Sequence, residues 1–168
     1  MIVVSNTSPL CYLVLIGAAD ILPKLYGEVL TTHTVLVELR HPDAPDAVRL
    51  WAATPPDWLR VHPDPHEPDQ SLTSLHAGER TAVLLAEEVH ADVLLLDDAA
   101  ARTLALQRHL KVSGLLGVLR DAAEAGLVDL PAAVDQFRRT SFRASPELLR
   151  SQLPPPNLQP GGGREALP

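Results

Sequence analysis

Aromatic residues make up only 4% of this chain, and cysteine occurs once, at Cys11. The first shortage leaves the core to aliphatic side chains, mostly Leu, Val and Ala. The second excludes an intramolecular disulfide framework and suits a reducing compartment. Cys11 lies within an apolar helical pattern, where a lone cysteine serves as a small core residue. Basic charge is short as well: 14 Lys and Arg stand against 21 Asp and Glu, a net charge of −7. That balance argues against a general nucleic-acid coat protein, because such proteins present basic surfaces. The deficit is uneven. Residues 1–90 hold 12 acids and 5 bases, whereas residues 91–168 hold 9 of each.

No apolar run has the length of a membrane span. Residues 10–19 are apolar, but no Lys or Arg precedes Lys24, so a secretory signal is not expected and a cytoplasmic location is. Asn6-Thr7-Ser8 matches the glycosylation acceptor pattern, which means nothing without export. No Gly-x-Gly-x-x-Gly follows a strand, which argues against a dinucleotide site. The glycines at 161–163 lack the preceding strand and following Lys-Ser/Thr of a phosphate loop. Zinc is not expected at the seven histidines.

What is present is an alternation of short aliphatic runs with helical patterns. Residues 2–4 are β-branched and predict a strand buried on both faces. Ser8 before Pro9 predicts a helix start, with a helix over 9–16 that Gly17 ends. A short helix at 20–25 and a strand at 28–31 follow. The pattern at 34–40 is helical and stops at His41-Pro42; residues 43–53 form an amphipathic helix. A strand at 58–62 leads into a polar linker, 63–70, with three prolines. A turn of helix is expected at 72–75, then a helix over 78–90, a strand at 93–96 and a helix over 98–110. A strand at 111–113 precedes helices at 115–125, 131–139 and 146–153. Such alternation means a parallel α/β sheet. Residues 1–153 are expected to form one domain, and the Pro/Gly-rich residues 154–168 a disordered tail.

Polar groups gather where strands end. Asn6 and Thr7 follow the first strand, and Asp97-Asp98 follow the strand at 93–96. In an open parallel sheet, ligands bind at such carboxyl ends. Glu79 opens the strongest helix, and Glu38 lies on a helix soon after the second strand. Each acid alone has an ordinary explanation: a cap, a first-turn dipole partner, a solvated face. Together, carboxylates held close repel each other unless a cation offsets them. An all-oxygen set selects a hard ion, Mg²⁺ or Mn²⁺, which activates water for phosphoryl displacement.

Five stretches in order carry a likeness: Val4-Ser-Asn-Thr-Ser-Pro-Leu10, Leu25-Tyr-Gly-Glu-Val29, Gly78-Glu79 with its alanine-rich helix, Leu94-Leu-Leu-Asp-Asp98 and Val112-Ser-Gly-Leu-Leu-Gly-Val118. Over residues 1 to about 150 the chain resembles the PIN-domain family, most of all a bacterial and archaeal branch related to VapC-type toxins. The resemblance implies a Rossmann-like three-layer sandwich, a central parallel sheet flanked by helices. It also implies a Mg²⁺- or Mn²⁺-dependent endoribonuclease, the toxin of a toxin–antitoxin pair, acting as a homodimer. Carried over, Glu38, Glu79 and Asp98 are the catalytic acids; Asn6, Glu79, Asp97 and Asp98 are the metal ligands. Thr7, Ser8 and Ser113 match positions that orient the site. One position departs from the pattern: the family usually has aspartate where this chain has Asn6, and an amide brings no charge.

Other classes are open at this point. A non-catalytic PIN-like module that binds RNA or a protein is favoured by Asn6. A phosphoacceptor receiver domain is suggested by Asp97-Asp98 and Lys111, but its acidic pair belongs after the first strand. The basic residues of the second half lie scattered on helices, and none is assigned to RNA.

Overall fold

The computed structural model describes residues 1–66 and 69–140; the helix expected at 146–153 and the tail at 154–168 lie outside the described residues. Val3–Ser5 forms strand β1, and all three residues are buried. Val29–Thr32 (β2), Leu59–His62 (β3), Val93–Leu95 (β4) and Val112–Ser113 (β5) complete the sheet. Its order is β3-β2-β1-β4-β5, with every pairing parallel. The chain builds one half of the sheet, then returns to β1 and builds the other. Winding therefore reverses between β1 and β4, and connections part there to leave a crevice at the carboxyl edge.

Eight helices lie among the described residues: Thr7–Leu15 (α1), Ile21–Tyr26 (α2), His33–Leu39 (α3), Asp46–Ala53 (α4), Ala77–Glu88 (α5), Ala99–Gln107 (α6), Leu115–Glu124 (α7) and Leu130–Arg139 (α8). Strand side chains alternate between two cores, as the pleat requires. Val3, Val29, Leu59 and Leu95 pack with α1, α2, α3, α4, α7 and α8 on one face. Val4, Leu94 and Leu96 pack with α5 and α6 on the other. The result is the three-layer sandwich. The scarce aromatics contribute locally: Tyr12 meets Phe137 edge-on at 4.9 Å, joining α1 to α8.

Several boundaries differ from expectation. Helix α1 starts at Thr7, so Ser8 is its second residue and not its cap. Asn6 holds the cap position with extended backbone (φ −82°, ψ 176°), although its side chain makes no capping bond. Pro9 then falls in the first turn, where a missing N–H costs nothing. Helix α4 begins at Asp46 behind Pro45, later than residue 43. The turn expected at 72–75 is instead a 3₁₀ turn at Gln70–Leu72, capped by Asp69, whose carboxylate accepts from Ser71 N–H at 2.8 Å. Among the described residues no helix is long and apolar enough to cross a membrane.

Candidate active site

At the crevice, β4 is tied to β1 and to β5 past their last paired residues. The Asn6 N–H donates to the Leu95 carbonyl at 3.0 Å, and the Leu96 N–H donates to the Ser113 carbonyl at 2.8 Å. Asn6 is thereby buried, 2% exposed, and its Oδ1 has no hydrogen-bond partner. Asp97 and Asp98 follow Leu96 and take different roles. Asp97 Oδ1 accepts from the Leu115 N–H at 2.8 Å, across the chain at the start of α7. Its other oxygen, Oδ2, is buried without a partner. Burial pushes the Asp97 carboxyl above the usual carboxylate range, against the opposing pull of the Leu115 N–H and the Arg102 guanidinium. Arg102 is itself held by the Leu96 carbonyl at 2.8 Å. A side chain at Gly114 would place its Cβ 2.6 Å from Asp97 Oδ1 and 3.0 Å from the Arg102 guanidinium, so this approach needs glycine. Asp98 is exposed and caps α6, accepting from the Ala101 N–H at 2.8 Å. The cap of the following helix is thus Asp98, while Asp97 docks a helix two elements on.

Glu38 sits near the end of α3, and protein donors occupy both its oxygens. The Thr7 hydroxyl donates to Oε2, and the Gly78 N–H donates to Oε1 at 2.8 Å. A Cβ at Gly78 would stand 2.7 Å from the Glu38 carboxyl carbon, so only glycine permits the contact. Glu79, next in the chain, accepts from the His76 N–H at 3.1 Å. Its carboxyl is raised first by burial, then by the charges of Asp98 and Glu38; the His76 N–H and imidazole oppose this. Glu38, Glu79 and Asp98, from three separate elements, are therefore within electrostatic reach of one another.

The remaining orienting positions divide. Thr7 bonds Glu38 directly. Ser8 lies with Glu38 on the wall of a cavity of about 320 Å³ whose apolar lining is Cys11, Leu39, Ala44, Pro45 and Val48. Ser113 accepts the Leu96 N–H through its backbone carbonyl as part of the sheet, and its side chain lies against Gly117. Two threonines that sequence reading passed over hold the acid-bearing helices in place. Thr32 caps α3 by accepting from the Val35 N–H at 3.2 Å. Its hydroxyl also meets that of Thr81 at 2.8 Å, and Thr81 donates to the Gly78 carbonyl at 3.2 Å. Nothing local marks a pair that is 49 residues apart. One histidine pair does stand at a ligand-like spacing in the sequence. His62 and His66 are four apart and line, with His33 and Asp64, a second cavity of about 480 Å³.

The donors at the crevice are all oxygens, with two buried ones unpartnered, Asn6 Oδ1 and Asp97 Oδ2. This chemistry fits a hard divalent cation. Among the described residues, no three His, Cys, Asp or Glu side chains already stand grouped as its ligands.

A family model described as a PIN domain matches residues 2–154. Among solved structures, a PilT N-terminus domain protein from the hyperthermophilic archaeon Sulfolobus solfataricus P2 has a similar fold. The TM-score is 0.55 at 16% identity, covering 74% of this chain and 95% of that one. No curated protein matches the chain.

Proposed function

This chain belongs to the PIN-domain family, whose members are generally nucleases that use divalent metal ions, and on that footing we propose that it is a metal-dependent endoribonuclease. The observation that carries the reading is the pair of buried, unpartnered oxygens, Asn6 Oδ1 and Asp97 Oδ2, at the reversal of the sheet, with Glu38 held by Thr7 and Gly78; burial and the charges of Asp98 and Glu38 raise the Glu79 carboxyl as well. Burial and like charge both resist ionisation there, and a cation reverses both. Glu79, Asp98, Asp97 and the Asn6 amide oxygen would hold Mg²⁺ or Mn²⁺, which supplies a nucleophilic hydroxide at neutral pH and offsets phosphate charge.

The chain's own residues do the positioning. Thr7 and the Gly78 N–H lock Glu38 into one orientation, and the Thr32–Thr81 contact fixes α3 against α5. Capping bonds orient Glu79 and Asp98 on rigid helix starts. The biological role proposed is that of a toxin held in check by a small protein antitoxin. Expression in a bacterial host with and without an adjacent small reading frame tests that role. The second reading, a non-catalytic RNA- or protein-binding module, rests on Asn6, which removes one carboxylate from the set.

The test is cleavage of pooled single-stranded RNA in Mg²⁺ or Mn²⁺, in chelator, and by Glu79→Gln and Asp98→Asn. Native protein is expected to cleave slowly with metal and not in chelator. Each variant is expected to lose about a hundredfold or more in rate, since a metal-site carboxylate contributes several kcal/mol to the transition state. Equal cleavage in chelator, or by Asp98→Asn, would mark the nuclease as a contaminant and leave the binding module.

A further inference from the structure

The cavity of about 320 Å³ beside Glu38 has no part in holding a metal, yet it shares a wall with the acids. It is at the small end of ligand pockets, which run roughly 300–1,000 Å³, so it suits one base and not a longer segment. Its floor is apolar, and its polar lining includes Glu38, His41 and Asp43. Single-stranded RNA is recognised in this way, by an unstacked base seated on an apolar or ring surface and read along its hydrogen-bonding edge.

We infer that this cavity receives a guanine base of the RNA strand whose phosphate lies at the acids, an inference that rests on the nuclease reading above. Glu38 connects the two places. Its oxygens accept from the Thr7 hydroxyl and the Gly78 N–H, which fix it as a wall between cavity and acid cluster. The reader is Asp43. Its side chain is 93% exposed, with His41 Nδ1 3.5 Å from Oδ2 and accepting the Asp43 N–H at 3.2 Å. A carboxylate accepts and never donates. Guanine alone among the bases offers two parallel N–H donors on its pairing edge, which match two carboxylate oxygens; uracil presents two carbonyl acceptors that Asp43 repels. His41 supplies the ring against which the base stacks.

The experiment uses uridine oligonucleotides with a single central guanine, adenine or cytosine, bound to the native chain in chelator and followed by fluorescence anisotropy. Cleavage sites on a randomised RNA are mapped in parallel with Mn²⁺. The guanine oligonucleotide is expected to bind tighter than all-uridine by roughly five- to 150-fold, the discrimination of a good bidentate pair. Asp43→Asn, of the same shape, should lose that preference. Ala44→Phe, which fills the cavity from the α3–α4 connection, should lose it too, with thermal melts checking that both variants fold. Equal binding of the four oligonucleotides by native protein, or a preference unchanged in either folded variant, would overturn the inference. Cleavage without base preference would do so while leaving the nuclease reading intact; guanine preference without cleavage would do the reverse.

Discussion

Asn6 and Asp97 leave Oδ1 and Oδ2, respectively, buried and unpaired, and their neighbours show what each costs. Asp97 repays its burial by docking α7, so Asp97→Ala should remove the acceptor of the Leu115 N–H and destabilise the fold by about 1–3 kcal/mol. Urea unfolding measures it, and an unchanged midpoint would show that the contact is idle. Three other groups, the buried Cys11 and Tyr12 and the half-buried Tyr26, bear on alkaline stability. Burial pushes the Cys11 thiol from 9.0 to about 11, and Tyr12 and Tyr26 from 10.0 to about 12. Asp97 adds to the rise at Tyr12, and Asp121 to that at Tyr26. In each case the folded state keeps a proton that the unfolded chain gives up earlier. Their contribution to stability is therefore whole below pH 9 and is lost as pH rises through about 11 and 12. Unfolding midpoints that stay flat across that window would contradict the burial. For the same reason, a thiol reagent should label Cys11 slowly until denaturant is added.

At the scale of elements, alternation of aliphatic runs with helical patterns was enough to foresee a parallel α/β sheet, and each described strand and helix formed near its expected place. The misplaced starts have local causes. Ser8-Pro9 looks like a cap and first position, yet the helix takes Thr7 as its first residue because proline is tolerated anywhere in the first turn. At 43–45 the chain makes a turn before Pro45 admits α4. Contacts between elements left no trace in the sequence. Glu38 and Gly78 are 40 residues apart, and that Gly78 must be glycine follows only from the carboxylate lying against it. Gly78→Ala should push Glu38 aside and destabilise by about 1–3 kcal/mol, the usual range for overpacking. Gly114→Ala should do likewise through Asp97 and Arg102. Thermal melts check both, and native-like melting of Gly78→Ala would mean that α3 and α5 are less tightly set than their hydrogen bonds imply.

For the whole molecule, the order of strands was beyond the sequence, since short parallel strands pair by packing and carry no register of their own. That order brings Asn6 and Asp98, 92 residues apart in the chain, to one edge. The surface carries a second consequence. The homodimer that the resemblance implies needs a free apolar helix face, but α1 uses Leu10, Cys11 and Leu13 in the core of its own chain. Helix α4 leaves Leu50 79% exposed, with Val37 of α3 at 50%. The dimer is therefore expected through α4, and Leu50→Glu should turn it into a monomer. Light scattering at micromolar concentration decides; a native monomer would remove the dimer.

The most direct measurement is calorimetric titration of Mn²⁺ into the native chain, Asn6→Asp, and the double variant Glu79→Gln/Asp98→Asn. Weak binding is expected in the native chain, because Asn6 contributes an oxygen without charge. Binding should tighten about tenfold or more in Asn6→Asp, where one carboxylate is restored at nearly the same size, a gain of at least 1.4 kcal/mol or so. It should vanish in the double variant. Equal affinity in all three proteins, or none in any, would contradict a metal site at the reversal of the sheet.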